Sequence, residues 1–430
     1  MSKTAKVIDQ LRAYESRNVN FFEADGSWPI VWERAKGVHV WDADGKKYLD
    51  LTAAFGVAAA GHANPAVVKA GQKQMAALLH AMGDVHPHAL KAALAQKLSQ
   101  ITFERWGKPT AKTIFGCSGF EAVEAALKTS ILATQKRGVI AFEAGYHGLG
   151  YGALNATHRN FFRAPFQSQL REFGYFVPFP RKPTDLATVE FQIRHLVRRE
   201  RIGAILVEPV QARGGCNIPP LEFLPLLRKL CDEFGALLIL DEIYTGFGRT
   251  GKWFACEHSG VIPDIVCLGK ALTGGFPLSA CVGRAELMDA AWPASTGEAM
   301  HTSTFLGHPV GCAMALAQIA EIEKLRLPQR SAELGQFLLD ELAALQIRSD
   351  ELVCAGRGIG LMAALELTFP DGKPASQPAL DAIKTLLHRG YIFLPEGEHG
   401  NIISFTPPLT ITGGALTRAV DELSAVLNHE

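Results

Sequence analysis

Ala236-Leu-Leu-Ile-Leu-Asp241 and Asp264-Ile-Val-Cys-Leu-Gly-Lys270 decide the architecture. Each contains a short apolar run, rich in branched side chains, that gives way to a charged residue. Gly138-Val-Ile-Ala-Phe142 and Ala204-Ile-Leu-Val-Glu208 repeat the pattern. Apolar residues in succession, without polar alternation, predict strands buried on both faces, as in a mostly parallel sheet covered by helices. One such helix is predicted from Leu221 to Phe234, with Leu224, Leu227, Leu230 and Cys231 on one face. Strand and helix patterns alternate from about residue 64 to 320, so the fold class is α/β. Outward from this core, Val38-His-Val-Trp-Asp-Ala-Asp-Gly-Lys-Lys-Tyr-Leu-Asp-Leu51 reads as a hairpin turning at Asp44-Gly45. Beyond residue 325 a helix at 331–345, a strand at 360–367, a second helix at 377–389, further strands and a closing helix at 413–428 suggest a smaller α+β unit that shares its sheet with the hairpin. The expected domains are therefore 61–324 as the large one, 325–430 as the small one, and 1–60 as a segment contributing to the latter.

Composition narrows the function. Lys and Arg number 43, as do Asp and Glu, so no sequence-wide basic surface exists for nucleic acid or anionic membranes. With 48% hydrophobic residues and no net charge, disorder is excluded. The opening residues lack the apolar stretch of a signal peptide, and no apolar run approaches roughly 18 residues. The 8 cysteines form no CxxC pair, which suggests free thiols in a reducing compartment and no zinc site. A cytoplasmic enzyme without a metal is the expectation.

Open α/β sheets bind ligands beyond their strand ends. Asp241 stands at one such end, where an acid serves equally well as a helix cap or a loop charge. Lys270 just beyond another is less usual, because burying its charge is costly. Desolvation lowers a lysine pKa and frees the neutral amine for imine formation. A lysine and an acid at neighbouring strand ends suit pyridoxal phosphate, the lysine on its aldehyde and the carboxylate on its pyridine nitrogen. A phosphate cradle then has a candidate in Phe115-Gly-Cys-Ser-Gly-Phe-Glu-Ala122, which leads into a helix whose first N–H groups are free to bind an anion, with Ser118 adding a hydroxyl. An ordinary capped helix carries the same pattern.

Six motifs, GCSGFEAVEAALK, AGYHG, VEPVQ, LDEIYTGFGRTG, CLGKAL and HTSTF, occur in the order and approximate separation found in class III aminotransferases, which the chain resembles from VWDADGKKYLDL to FTPPLTIT. LDEIYTGFGRTG together with CLGKAL is the specific pair. The resemblance implies a fold type I pyridoxal phosphate enzyme, with a large domain around a mostly parallel sheet of the seven-stranded type and a smaller α+β domain. Lys270 would bind the cofactor and shuttle the proton between substrate carbon and cofactor carbon. Asp241 would keep the ring nitrogen protonated. Tyr146 would stack on the ring, Gln211 would hydrogen-bond near its hydroxyl, and Ser118, Gly119 and Phe120 would hold the phosphate. Glu208 corresponds to an acid at a strand end with a cofactor-side or structural role. Thr304 resembles a residue supplied by the other subunit, which implies a homodimer with shared sites or a dimer of dimers. An epimerase or aminomutase of the same fold would use the same lysine and aspartate.

The departures concern the substrate. Relatives using 4-aminobutyrate place an arginine where this chain has Leu149. They and the acetylornithine type carry another where it has Ser404, and the acid that neutralises that second arginine is here Arg213. A cation has thus moved across the site, and Arg213 becomes a candidate ligand for a substrate carboxylate, although a solvent-facing or carbonyl-bound arginine fits the sequence equally. Phe55 and Leu149, with Phe115 and Tyr151, suggest an apolar pocket. The expected donor is a primary amine or amino compound with an apolar distal part, and the acceptor is a 2-oxo acid. An ω-amino acid transaminase of the 4-aminobutyrate type is the alternative. Three features point elsewhere and fail on context. Gly246-Phe-Gly-Arg-Thr-Gly251 matches a dinucleotide fingerprint, but Gly260 and Pro263 interrupt the helix that such a fingerprint requires after it, so no nicotinamide site is expected. Gly356-Arg-Gly-Ile-Gly360 reads as a tight turn, and His86 and His88 as surface or capping residues. His147 is expected to shape the loop after Tyr146.

Overall fold

The computed structural model describes residues 2–23, 26–345 and 351–428. Three N-terminal strands, β1 (Trp32–Lys36), β2 (His39–Asp42) and β3 (Lys47–Asp50), precede the large sheet. That sheet comprises β4 (Ala111–Gly116), β5 (Gly138–Phe142), β6 (Gly174–Val177), β7 (Ile202–Val207), β8 (Leu237–Asp241), β9 (Ile265–Leu268) and β10 (Ser279–Arg284). Toward the C-terminus lie β11 (Val353–Ile359), β12 (Met362–Thr368), β13 (Tyr391–Ile392), β14 (Leu394–Glu396) and β15 (Ile402–Phe405).

The 7-stranded sheet has the order β4-β10-β9-β8-β7-β5-β6. β10 runs antiparallel to both neighbours and the other pairings are parallel, so the expected mostly parallel sheet is present. Its inner strands are buried throughout, and successive residues feed opposite faces. Leu238, Leu240, Val266 and Leu268 join one core with Leu224, Leu227 and Leu230 of the helix Phe223–Phe234. Leu237, Ile239, Ile265 and Cys267 join the other with Ala122, Val123, Ala125 and Ala126. These last residues belong to the helix Gly119–Thr134, whose small side chains let it lie close over the sheet. Because β7, β8 and β9 are parallel, Glu208, Asp241 and Lys270 emerge at the same edge.

β13 pairs in parallel with β3, so the N-terminal hairpin and a C-terminal segment share a sheet, as their sequences suggest. A separate antiparallel sheet has the order β11-β12-β15-β14. Two sequence expectations need correction here. The helix expected at 331–345 begins at Leu327, where a proline in the first turn suits a helix start. Most of Gly356-Arg-Gly-Ile-Gly360 belongs to β11, which pairs with β12 from Val353 to Ile359, and the turn falls at Gly360-Leu361.

The two glycine clusters meet each other. A Cβ on Gly360 would lie 2.4 Å from the carbonyl carbon of Thr250, and one on Gly335 would lie 2.2 Å from Gly360 backbone atoms. Backbone presses on backbone at this point, so glycine is required. The fully buried Arg249 stitches the joint, Nη1 donating to the carbonyls of Leu361 at 2.8 Å and Pro407 at 2.6 Å. Ser331 Oγ donates to the Arg249 carbonyl and accepts from the Leu361 N–H. Gly246–Gly251 thus joins the large sheet to the C-terminal part of the fold.

Candidate active site

A cavity of about 470 Å³ opens at the edge where β7, β8 and β9 end, and its walls include Gly119, Phe120, Tyr146, His147, Leu149, Glu208, Arg213, Asp241, Tyr244 and Lys270. Lys270 follows the β9 strand through Gly269 and adopts a φ of 43°, uncommon for a residue with a side chain. Burial pulls its pKa below the ordinary lysine value. Asp241, Glu208 and Glu396 oppose this, while Arg213 adds to it. Its Nζ stands over the ring of Tyr244, 4.7 Å from the centroid.

Asp241 is buried, and both its oxygens are engaged. Oδ1 accepts from the Ile243 N–H at 3.1 Å and Oδ2 pairs with His147 Nδ1 at 2.8 Å. Burial drives the His147 pKa down, but the hydrogen bond to Asp241 and the charges of Asp241 and Glu208 raise it overall. The histidine is itself fixed, its N–H donating to Thr157 Oγ1 at 2.9 Å. Glu208 latches the neighbouring loops, Oε1 accepting from the Tyr146 N–H at 2.9 Å and Oε2 from the Ala212 N–H at 3.2 Å. Burial lifts its pKa to about 7.

At the start of the helix Gly119–Thr134, Glu121 Oε2 accepts from the N–H groups of Cys117 at 2.6 Å and Ser118 at 2.8 Å. The Ser118 hydroxyl also reaches Glu121, at 3.2 Å. The N–H groups of Gly119 and Phe120, both on the cavity wall, have no acceptor among the described residues. This donor set fits pyridoxal phosphate: helix-start N–H groups for an anion, a desolvated amine for an aldehyde, and an anchored buried carboxylate for a ring nitrogen.

The remaining sequence candidates divide. Tyr146 and Leu149 line the cavity, Tyr146 meeting the ring of Phe162 edge-on at 5.8 Å. Arg213 also lines it, with its guanidinium 5.5 Å from the Tyr146 ring centroid and Nε 3.8 Å from Glu396 Oε2. That Nε is buried without a hydrogen-bond partner. Gln211 turns away, its amide donating to the Glu143 carbonyl at 2.7 Å and accepting from Asn217 Nδ2 at 2.8 Å. Ser404 is buried on β15 and donates to the Leu394 carbonyl at 3.2 Å, off the cavity wall. Phe55 and Thr304 are exposed and stand apart from the cavity lining. Phe115 is a core residue of β4, so it does not belong to the apolar pocket, and Tyr151 is exposed with its hydroxyl on Gln169. His88 caps the helix Ala89–Ile101 and reaches the Gly307 carbonyl. No cluster of His, Cys, Asp and Glu suited to a metal ion occurs among the described residues.

Three functional groups escape the sequence reading: the His147 partnership with Asp241, Tyr244 beneath Lys270, and Glu396 beside Arg213. Glu396 ends a short apolar stretch, Tyr391-Ile-Phe-Leu-Pro-Glu396, which is the one signal that could have marked it. Burial pushes its pKa to about 7 against the opposing charges of Arg213, Lys270 and Arg159.

Residues 22–427 match the family model Aminotransferase class-III, and the chain belongs to that family of pyridoxal phosphate enzymes. It is a transaminase, moving amino groups to 2-oxo acids. Among curated relatives it is 37% identical over 399 residues to the acetylornithine aminotransferase of Methanosarcina mazei, covering 93% of this chain and 92% of that one. It is also 37% identical over 409 residues to the putrescine aminotransferase of Pectobacterium atrosepticum, covering 94% and 83%. A solved amine transaminase from an uncultivated Pseudomonas species, with pyridoxal phosphate bound, superposes with a TM-score of 0.87 at 29% identity, over 97% of this chain and 98% of that one.

Proposed function

We propose that this transaminase takes its amino group from a primary amine with an apolar distal part, and that Lys270, Asp241 and Arg213 divide the work. One observation carries the reading: a desolvated lysine, a clamped carboxylate and an arginine with an unpartnered Nε line the same cavity. Pyridoxal phosphate, when bound, supplies an aldehyde that condenses with amines and a ring that accepts the electron pair left by deprotonation. The neutral amine of Lys270 would hold the aldehyde. Nζ of Lys270, once free, would be the base that takes the proton from the substrate carbon and the acid that gives it back. Asp241 keeps the ring nitrogen protonated, and His147 orients Asp241. The N–H groups of Gly119 and Phe120 would hold the phosphate. Ser118, whose own N–H and hydroxyl are engaged by Glu121, would shape the helix start beside them. Tyr146 would cover the ring, and Glu208 fixes the Tyr146 loop. Gln211, engaged on Glu143 and Asn217, supports the wall behind them.

Arg213 is assigned to the carboxylate of the 2-oxo acid, with Glu396 as its counter-ion in the absence of substrate. Leu149 and Phe120 leave the distal part of the donor without a charge partner, which favours an apolar amine over 4-aminobutyrate. Phe55 and Ser404, off the wall, shape the surroundings. Arg213→Ala is expected to raise the KM for the 2-oxo acid by about tenfold or more and to leave the amine half-reaction nearly unchanged. Equal losses in both halves would reduce Arg213 to a structural role. The pH dependence has a defined sign. Below about 7 Glu396 is protonated and releases Arg213, so the KM for the 2-oxo acid should fall there and rise above it. Glu396→Gln should flatten that profile, and an unaltered profile would remove Glu396 from the reading.

Thr304, exposed and outside the lining of this cavity, is assigned to the site of a second copy, which makes the active unit a homodimer. Sedimentation is expected at the dimer mass or a multiple of it. An active monomer would contradict the assignment. The free cysteines favour a reducing, cytoplasmic setting.

A further inference from the structure

We infer that the ring of Tyr244 is the seat on which Lys270 holds its proton between the two halves of the proton transfer, which makes Tyr244 a positioning residue for the lysine. The inference rests on Lys270 being the reacting amine. When the lysine deprotonates substrate, the C–H bond breaks, its electron pair passes to the cofactor ring, and an N–H bond forms at Nζ. The resulting ammonium sits in a cavity that burial makes hostile to charge. Nζ lies over the Tyr244 ring, 4.7 Å from its centroid, and an aromatic face attracts a cation most strongly where water is excluded. The charged groups bearing on Nζ are Asp241, Glu208 and Glu396, which favour the ammonium, and Arg213, which disfavours it.

The ring is held from several directions. Thr406 Oγ1 donates to the Thr52 carbonyl at 3.3 Å, so the Tyr244 hydroxyl supplies the proton for its own bond to that oxygen at 3.1 Å. From the N-terminal side Gly56 presses on the ring, and a Cβ there would lie 3.0 Å from Tyr244 Cε1. Gly56, at φ 79°, closes a left-handed turn in which Ala53, Ala54 and Phe55 have φ values of 47°, 50° and 61°. Residues with side chains adopt this conformation at an energetic cost, and it persists where the surroundings impose it. The imposing group is the buried Asp50. Its Oδ1 accepts from the Thr52 N–H at 2.8 Å and the Thr52 hydroxyl at 2.6 Å. Its Oδ2 accepts from the Ala54 N–H at 3.3 Å and pairs with His62 at 2.7 Å. A strained turn thus brings a residue without a side chain against the ring over which the lysine stands.

The test uses the full-chain enzyme converted by excess amine donor to its aminated-cofactor form, in which Lys270 is free. Acetic anhydride labels the unprotonated amine, and mass spectrometry of the Lys270 peptide across pH gives the midpoint of its titration. Tyr244→Leu is expected to lower that midpoint by about one pH unit, and Tyr244→Phe to leave it in place. Gly56→Ala, which displaces the ring without removing it, should also lower it and provides the reading if the leucine variant does not fold. An unmoved midpoint in folded Tyr244→Leu or Gly56→Ala would overturn the inference. A phenylalanine variant shifted as far as leucine would overturn it too, in favour of the hydroxyl. The lysine assignment itself fails by a separate route, through persistence of the lysine-bound cofactor absorption in Lys270→Ala.

Discussion

Lys270→Ala is expected to lose the absorption band of lysine-bound cofactor and at least about 10⁴-fold in turnover. The loss combines two roles in one atom. Nζ holds the aldehyde before substrate arrives, and it carries the proton afterwards. No neighbouring base can take over the second role at the same place. Glu208 is tied to the N–H groups of Tyr146 and Ala212, and His147 is turned to Asp241. Cofactor should still bind without the covalent link, because the helix-start donors and Asp241 are untouched. Half-reactions in a stopped-flow spectrophotometer give the measurement, and wild-type rates with an intact band would refute the assignment.

Asp241→Asn is expected to cost about 10² to 10³ in turnover while leaving cofactor bound. An amide of the same shape cannot stabilise the protonated ring nitrogen, so the ring loses its hold on the electron pair. A second effect arises at His147. Its pKa is raised in spite of burial because Asp241 and Glu208 bear negative charge near it, and removing the nearer charge leaves burial dominant. The imidazole should therefore be neutral in the variant across the working pH range, which nitrogen NMR of labelled histidine can read. Unchanged turnover would refute the electron-sink role of Asp241.

Much of this is legible in the chain. The inner strands β5, β7, β8 and β9 declare themselves because burial on both faces leaves no polar residue inside them. β6 and β4 escape notice for the converse reason. The first is a half-buried edge strand of 4 residues, and the second carries Lys112 and Thr113 toward its exposed end. The lysine and the aspartate are visible because a charge at the end of an apolar run is conspicuous. Glu396 is not, since Gly397, Glu398, His399 and Gly400 follow it and make the segment read as a solvated loop. Its proximity to Arg213 depends on the turn after β14 meeting the loop after β7, where the Gly397 N–H donates to the Arg213 carbonyl at 3.1 Å, a contact between distant parts of the sequence. Tyr244 is hidden differently, as one aromatic residue inside a motif already accounted for by its aspartate and glycines.

The joint built by Arg249 has a consequence for exchange between relatives. Its guanidinium is received by main-chain oxygens at Leu361 and Pro407, so the fit depends on the path of the backbone there and hardly on which side chains it carries. A C-terminal segment grafted from another member of the family keeps these two bonds wherever its backbone follows the same path, provided the glycines at the crossing are kept and apolar residues such as Leu361 and Leu409 still fill the shared core. The part of the molecule that bears Glu396 is in this sense interchangeable, and recombination at the joint offers a way to vary the substrate end of the cavity while the lysine and its aspartate stay where they are.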